Sequence, residues 1–303
     1  MFSDKYMTPF LTENREAYER WRDGKLTNFP RAAEDLLVPV SDPRSLTANE
    51  IRSLQALCRQ ANMAIYISHT PHAAGKDIPR HIGKQLGLVH LDNNLLADED
   101  AISSIQVTHE KSGRGYIPYT NRRILWHTDG YYNSPQRPVR AMILHCVRPA
   151  VRGGINELID HEIAYILLRE QDPAHIRALM APDAMTIPAN EESGENRGAV
   201  TGPVFSIDSD TGCLHMRYTA RTRSIVWKDN EGTRAAVAAL EKVLADDSPY
   251  KFRHRLNAGE GLVCNNVLHN RSGFEDEVDN GAGRLLYRAR YHDRIIGTDV
   301  SDA

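Results

Sequence analysis

Residues 126–130 read Trp126-His127-Thr128-Asp129-Gly130, and this short stretch decides the predicted fold. Residues i and i+2 of a β-strand point to the same side, so His127 and Asp129 are expected to project together from a strand end. Two imidazoles and one carboxylate form the facial triad of non-haem ferrous sites, which leaves coordination positions open for other ligands. Because the stretch supplies one imidazole and the carboxylate, it predicts a second histidine on a separate strand that closes the site.

His269 and Arg284 follow this stretch later in the chain and complete an ordered set. His269 can supply the second imidazole. The guanidinium of Arg284 can bind a carboxylate through two parallel hydrogen bonds. Each of these residues is common by itself, but their order predicts a metal site with an adjacent clamp for an organic acid.

The pattern of apolar residues predicts strands and helices that intermix without a strict βαβ repeat. Helices are predicted at 12–24, 48–61, 79–86, 160–170, 172–180 and 234–245. Strands are predicted at 64–67, 102–107, 142–147, 250–256, 261–265 and 285–291, with a hairpin at 204–207 and 214–218. This mixture favours an antiparallel core with helices packed outside it. The predicted fold class is mainly β with flanking helices, arranged as a double-stranded β-helix, or jelly roll.

The length of 303 residues fits a single domain over residues 1–303. Residues 1–60 form a predicted helical N-terminal extension, and residues 61–295 form the predicted jelly-roll core with insertions. The polar, glycine-containing segment 189–200 is either a lid over the site or a surface loop.

The composition predicts a cytoplasmic protein that binds neither nucleic acid nor membranes. A net charge of -3 and a pI near 6.5 give no basic surface for nucleic acid. No apolar run approaches the roughly 20 residues that span a bilayer, and the first residues do not resemble a signal peptide. The four cysteines lack C-x-x-C spacing, which predicts reduced thiols. The sequence leaves open whether the protein is a monomer or a homo-oligomer.

On these residues the chain resembles the iron(II)- and 2-oxoglutarate-dependent oxygenases of the taurine dioxygenase (TauD/TfdA), clavaminate-synthase-like family. Besides 126–130, the matching segments are 153–157, 210–215, 222–223, 265–271 and 283–288. The resemblance covers roughly residues 60 to 295 and includes no part of the first sixty. Two positions depart from the family pattern, because Asn156 stands where Thr is frequent and Asn265 where Asp is frequent.

The resemblance implies an enzyme that oxidises a small-molecule substrate with dioxygen, most often by hydroxylation, and releases succinate and carbon dioxide. His127, Asp129 and His269 would hold iron(II), and 2-oxoglutarate would be the co-substrate. Arg284 would pair with its distal carboxylate. The resemblance places Arg288 nearer the metal, beside the C1 carboxylate or a substrate anion. Asn156 would donate a hydrogen bond to the co-substrate.

Asp129 also bears on the reaction outcome. A carboxylate in that coordination position leaves no site for halide, which argues against a halogenase. Hydroxylation, desaturation or cleavage after hydroxylation is therefore expected.

Several residues have a second interpretation. His90-Leu91-Asp92 repeats the H-x-D spacing without the flanking Trp and Gly, and we interpret it as structural. Three other histidines compete with His269 as the third ligand, namely His215, His254 in a solvated basic stretch, and His292. The aromatic residues near the metal motif either line a substrate pocket or pack in the core; they are Tyr116, Tyr119, Trp126, Tyr131 and Tyr132. The nearby arginines either hold an anionic substrate or face solvent; they are Arg122, Arg123, Arg221 and Arg223.

Two other classes of protein fit part of the pattern. A jelly-roll binding or sensor protein would use the metal site without needing the arginine strand at 283–288. A zinc hydrolase would use the same ligand types but would need a separate general base and no acid clamp.

Overall fold

The computed structural model describes residues 8–68, 70, 74–93, 100–107, 117–189, 197–276 and 283–300. The α-helices are α1 Arg15–Thr27, α2 Ala48–Ala61, α3 Ile78–Gln85, α4 His161–Gln171, α5 Pro173–Leu179 and α6 Glu231–Ala245. The strands are β1 Leu37–Val40, β2 Met63–Ser68, β3 Ser103–Ile105, β4 Ile124–His127, β5 Ala141–Arg148, β6 Arg152–Gly153, β7 Asn156–Ile159, β8 Met185–Ile187, β9 Val200–Gly202, β10 Phe205–Ile207, β11 Leu214–Met216, β12 Val226–Trp227, β13 Lys251–His254, β14 Glu260–Cys264, β15 Leu268–Arg271, β16 Phe274–Glu275 and β17 Leu285–Tyr291. Short 3-10 helices lie at Ala33–Leu36, Ile117–Tyr119 and Thr222–Ser224.

Two sheets dominate the described part of the chain. The larger has six strands in the order β1-β2-β14-β5-β17-β3, and the smaller has four in the order β13-β7-β15-β4. Every pair in them is antiparallel except β1 with β2. Along the chain, β4, β7 and β15 of the smaller sheet alternate with β5, β14 and β17 of the larger one. The chain therefore passes repeatedly from one sheet to the other.

Each face of the larger sheet packs against a separate apolar core. Successive residues of a strand point to opposite faces. Accordingly, Met63 and Ile65 join a core with residues of the smaller sheet and of α4 to α6, whereas Ala64 and Tyr66 join a core with α2 and α3. Because β5, β14 and β17 are covered on both sides, their positions are fixed, and they form a rigid wall beside the smaller sheet.

Most predicted elements are confirmed. The structure has α2 and β17 at the predicted bounds and the hairpin of β10 and β11. The predicted helix at 160–170 is α4, and Asp160 caps it by accepting from the Glu162 N–H. Among the described residues, no helix is both long and apolar enough to cross a bilayer. Residues 190–196 of the predicted lid lie outside the described residues, and residue 200 begins β9.

The predicted helical extension at 1–60 contains α1 and α2, but its described part also contains a strand. Leu37–Val40 forms β1, which pairs in parallel with β2 and makes one edge of the larger sheet. Pro39 argues against a strand in the sequence, because proline cannot donate to a ladder. At an edge this is tolerated.

A buried ion pair also ties α1 to α4. The Lys25 Nζ lies 2.7 Å from an Asp160 carboxylate oxygen and 2.5 Å from a Glu162 carboxylate oxygen, and all three side chains are at most 6% exposed. Burial lowers the pKa of Lys25, but the two carboxylates outweigh it and raise that pKa overall. The N-terminal helix α1 is therefore held to α4 by a buried ion pair, and separating its charges would cost a large free energy.

Candidate active site

Three side chains of the type that binds metals converge at the edge of the smaller sheet. His127 is the last residue of β4, His269 lies opposite it on β15, and Asp129 follows two residues after His127. One ligand-type atom from each lies within 4.8 Å of the others, and they form the one such group among the described residues. The H-x-D spacing and the distal strand therefore bring the three predicted side chains together.

Both histidines present the same ring nitrogen to the centre of this group. The Nδ1 of His127 is 2.9 Å from the Leu125 carbonyl, and the Nδ1 of His269 is 2.9 Å from the Val267 carbonyl. A carbonyl oxygen only accepts, so each Nδ1 carries the proton and each Nε2 keeps a free lone pair. Burial lowers the pKa of His127 to about 3, helped by the neighbouring His269, and burial also lowers the pKa of His269. Both rings are neutral at ordinary pH, which is the form that binds metal.

The Asp129 carboxylate is ionised and only half satisfied. Burial by itself would raise the pKa of Asp129, but the nearby Arg288 and Arg290 outweigh burial and hold that pKa well below its usual range. Its Oδ1 accepts from the Arg288 Nη1 at 3.1 Å, whereas its buried Oδ2 has no hydrogen-bond partner in the described part of the chain. A buried anionic oxygen without a donor requires a cation to compensate it.

Gly130 allows the chain to turn sharply after Asp129. Its φ is +68°, and a Cβ added there would lie 2.4 Å from a side-chain atom of Val139. Thr128 anchors the other side, because its N–H donates to the Tyr218 carbonyl at 3.0 Å and its Oγ1 accepts from the Tyr218 N–H at 3.1 Å. The turn is therefore fixed on both sides of the carboxylate.

Arg284 is a buried cation that forms no ion pair with the described residues, although the Asp276 carboxylate lies near enough to act on it. It is 5% exposed, and its guanidinium carbon lies 5.2 Å from the centre of the Phe274 ring. Gly154 lies next to the guanidinium, because a Cβ added at Gly154 would be 3.5 Å from the Arg284 Nε, an ordinary contact distance. Burial lowers the pKa of Arg284. No carboxylate among the described residues forms an ion pair with it, so the arrangement is suited to an acid from outside the protein.

Arg288 and Arg290 lie on the same face of β17, because residues two apart in a strand point to one side. Arg288 binds Asp129 directly. Arg290 donates to the Tyr132 hydroxyl at 2.8 Å and pairs with Asp92. Neither arginine faces water, because their side chains are only 11% and 2% exposed.

Asn156 begins β7 and lies on the same face of the smaller sheet as His269. It is the register partner of Arg271, and Leu158, two residues on, is the partner of His269. Directly opposed residues of an antiparallel pair point to one face. The buried Asn156 side chain therefore points toward the side that carries the histidine.

The competing histidines lie elsewhere. His90 pairs with Asp293 at 2.7 Å and His254 with Glu260 at 2.8 Å, so the prediction of a solvated His254 is wrong. His292 lies near Asp92, 3.5 Å away. His215 lines a cavity of about 250 Å³ that Asp129 and Gly130 also line, but it does not join the group of three metal-binding side chains.

The aromatic and basic residues near the motif divide into two groups. Tyr119 is buried in the protein and Trp126 packs against the larger core, whereas Tyr116 lies outside the described residues. Tyr131 contacts Arg221 through a side-chain hydrogen bond. The side chains that face solvent are those of Arg122, Arg123 and Arg223.

Sequence reasoning missed two residues beside the site. Arg197 stacks on Tyr132, with its guanidinium carbon 5.7 Å from the ring centre, and donates to the Pro188 carbonyl. Its Nη1 is buried without a partner in the described part of the chain. The second is Asn266, whose amide contacts the backbone of Asp129.

The fold and site define a mainly β protein with a centre of two histidines and one carboxylate beside a buried arginine. A family model described as taurine catabolism dioxygenase TauD, TfdA family matches residues 33–290, and the chain belongs to this family. The match begins before residue 60, in keeping with β1 as part of the sheet.

Two similar proteins are named uridine-5'-phosphate dioxygenase. The one from Amycolatopsis sp is 36% identical over 176 residues, which cover 55% of this chain and 60% of that protein. The one from Streptomyces sp is 30% identical over 207 residues, which cover 64% of this chain and 71% of that protein. This chain thus matches less than two thirds of the Amycolatopsis protein.

Solved structures show the same fold at low identity. The non-heme iron oxygenase OrfP in complex with Fe, succinate and (3S)-hydroxy-L-Arg has a TM-score of 0.59 at 16% identity, covering 81% of both chains. Asparagine oxygenase in complex with Fe(II), 2S,3S-3-hydroxyasparagine and succinate has a TM-score of 0.55 at 12% identity, covering 82% of this chain and 85% of that one.

Proposed function

We propose that the protein is an iron(II)- and 2-oxoglutarate-dependent dioxygenase that oxidises a small molecule. The observation that carries this proposal is the group of His127, Asp129 and His269, whose ligand-type atoms lie within 4.8 Å of one another. The Asp129 Oδ2 is buried without a hydrogen-bond partner among the described residues, and the buried Arg284 guanidinium has no ion pair there. Iron(II) and a dicarboxylate would satisfy both, and membership of the TauD family supports that pair.

The residues fit iron(II) well. Two neutral imidazole Nε2 atoms and one carboxylate oxygen form the donor set preferred by non-haem ferrous sites. His127, Asp129 and His269 would hold the metal, with Arg288 fixing the Asp129 carboxylate through its Oδ1. The bound iron, with 2-oxoglutarate and dioxygen, supplies the oxidising chemistry and leaves succinate and carbon dioxide.

The remaining residues would orient the organic acid. Arg284 would bind the far carboxylate through two hydrogen bonds, over the Phe274 ring. Asn156 would donate to the same co-substrate from the neighbouring strand. Arg288 lies beside Asp129 and would face the carboxylate nearer the metal. Buried walls around these groups exclude water and strengthen each charge interaction.

The substrate we propose is a small anion, and a nucleoside 5'-phosphate is the first to test. Two relatives act on uridine 5'-phosphate according to their names. Arg197 and Arg221 flank the tyrosine pair Tyr131 and Tyr132, directly after Asp129, and Arg197 keeps one nitrogen without a partner among the described residues. A guanidinium beside an aromatic ring suits a phosphate attached to a base.

The fold can be assigned more finely as well. We propose that the two sheets are the halves of a double-stranded β-helix, since β4, β5, β7, β14, β15 and β17 alternate between them. We also propose one domain that includes the N-terminal helix and β1. Four buried free thiols are compatible with a reducing compartment, and we propose the cytoplasm.

The test is an anaerobic titration followed by exposure to air. Protein loaded with iron(II) should develop a weak visible charge-transfer band on addition of 2-oxoglutarate, and succinate should form fastest with the correct substrate. Uridine 5'-phosphate is compared with uridine, asparagine and arginine. Arg197→Gln should raise KM for the phosphate, with solvent-exposed Arg223→Gln as the matched control.

Each outcome has a separate meaning. Absence of the band would contradict the dioxygenase assignment. Succinate release that responds to amino acids but not to uridine 5'-phosphate would overturn the substrate class and leave the reaction class intact.

A further inference from the structure

One buried amide connects the two metal-binding segments. The Asn266 Oδ1 accepts from the Asp129 N–H at 2.8 Å, and its Nδ2 donates to the Asp129 carbonyl at 2.9 Å. The same Nδ2 donates to the Val139 carbonyl at 2.6 Å. Asn266 lies three residues before His269 and is 2% exposed. A single side chain therefore holds the backbone of one proposed ligand while its own segment carries another.

The backbone of Asn266 indicates a specific role. Its φ is 52°, in the left-handed region that most residues avoid. Asn enters this region more readily than most residues, because its short polar side chain can bond locally. Here the amide is instead used on a segment more than a hundred positions away. Strained positions of this kind persist where their surroundings fix them, and they cluster at functional sites.

We infer that Asn266 is a positioning residue for the metal ligand Asp129, an inference that rests on the proposed function. The carboxylate is held at two points, because Arg288 fixes its Oδ1 and Asn266 fixes the backbone that carries it. Together these contacts hold the carboxylate beside the histidines, with its Oδ1 4.0 Å from the His127 Nε2. Residues that orient metal ligands typically change metal affinity by about 10–100-fold when they are replaced.

The same amide also closes the loop that follows Asp129. Its hydrogen bonds reach Asp129 at one end of the loop and Val139 at the other. The two ends of the loop at 130–138, which includes Tyr131 and Tyr132, are therefore held at a fixed distance from each other. Loss of the amide should therefore loosen both the ligand and the tyrosine loop.

Asn265 provides a matched control one residue away. Its Nδ2 donates to Asn62 and to Thr298, and its Oδ1 accepts from the Ile295 N–H. It is equally buried and equally hydrogen-bonded, but its side-chain hydrogen bonds go to Asn62, Thr298 and Ile295 and not to Asp129. A role in fold stability alone would make the two asparagines equivalent in a metal-binding assay.

The experiment measures metal affinity and metal-free stability in parallel. Asn266→Gly removes the amide while permitting the left-handed backbone, and Asn266→Asp keeps the acceptor but loses both donated bonds. Each is titrated anaerobically with iron(II) and with cobalt(II), whose ligand-field bands report ligand geometry. Asn265→Ala is treated identically, and thermal unfolding is followed without metal.

We expect both Asn266 variants to bind metal about 10–100-fold more weakly, with altered cobalt(II) bands. Asn265→Ala should lose stability and keep wild-type affinity and bands. Wild-type affinity in Asn266→Gly, or in Asn266→Asp if the glycine variant does not fold, would overturn the inference. An equal loss in Asn265→Ala would overturn it too. If the wild type binds neither metal, the proposed function fails instead.

Discussion

Replacing Arg284 by Met removes the guanidinium assigned to the far carboxylate of 2-oxoglutarate while keeping much of the side-chain volume. In the wild type the cation is 5% exposed and has no ionic partner among the described residues. The variant would leave the incoming carboxylate buried and unpaired, which costs about 3–5 kcal/mol. At 1.4 kcal/mol per tenfold change, 2-oxoglutarate should bind roughly a hundredfold to a few thousandfold more weakly.

The same variant should behave differently without ligand. Removing a buried cation that forms no ion pair with the described residues should leave the ligand-free protein about as stable as the wild type. The wild type should gain about 2.7 kcal/mol when 2-oxoglutarate is present at a hundred times its Kd, and the variant should gain almost nothing at that concentration. Different effects on free and bound protein distinguish a ligand clamp from a structural arginine.

The assay is thermal unfolding of metal-loaded protein under anaerobic conditions, with and without 2-oxoglutarate. The control is Arg253→Met, because that side chain is 70% exposed on β13 and pairs with Glu157. A shift in 2-oxoglutarate affinity of less than about threefold in Arg284→Met would refute the reasoning, and the clamp would then have to be Arg288. Severe loss of stability in the ligand-free variant would show a structural role.

Three further predictions concern two of the proposed metal ligands and the buried Lys25 ion pair. His269→Ala should lose the 1:1 iron(II) stoichiometry seen by anaerobic titration, and unchanged binding would remove His269 from the site. Asp129→Gly should lose most product oxygenation under labelled dioxygen, and a chlorinated wild-type product in chloride buffer would contradict the role of the carboxylate. Lys25→Met should destabilise the protein by about 3–5 kcal/mol in urea unfolding. Burial by itself would raise the pKa of Asp160, but Lys25 lowers that pKa below its usual value. The stabilisation by the Lys25–Asp160 ion pair is therefore fully present above about pH 4 and is lost as the pH falls through the folded-state pKa of Asp160. A gap between wild type and variant that does not shrink in acid would argue against the ion pair.

The sequence predicted the elements whose signals are local. The last strand at 285–291 and the helix at 48–61 matched because apolar periodicity and helix caps depend on neighbouring residues. The His127 and Asp129 pair was recognisable for the same reason, since strand parity fixes the direction of residues i and i+2.

Contacts between distant segments could not be predicted in this way. The Arg288 contact with Asp129 depends on how β17 of the larger sheet meets the end of β4, and strand parity gives only the shared face. The role of Asn266 depends on a left-handed backbone, which no neighbouring residue signals. Strand β1 was not predicted because proline disfavours a strand, and Pro39 is tolerated only because β1 lies at the edge of the sheet.

The central claim is that His127, Asp129 and His269 hold iron(II) beside an acid clamp formed by Arg284. An anaerobic absorption titration of iron-loaded protein with 2-oxoglutarate tests it most directly, since the visible charge-transfer band requires metal and co-substrate in one site. The wild type should give a saturable band at one 2-oxoglutarate per iron, and His269→Ala should give none. A wild type without the band, or a His269→Ala variant with the full band, would contradict the claim.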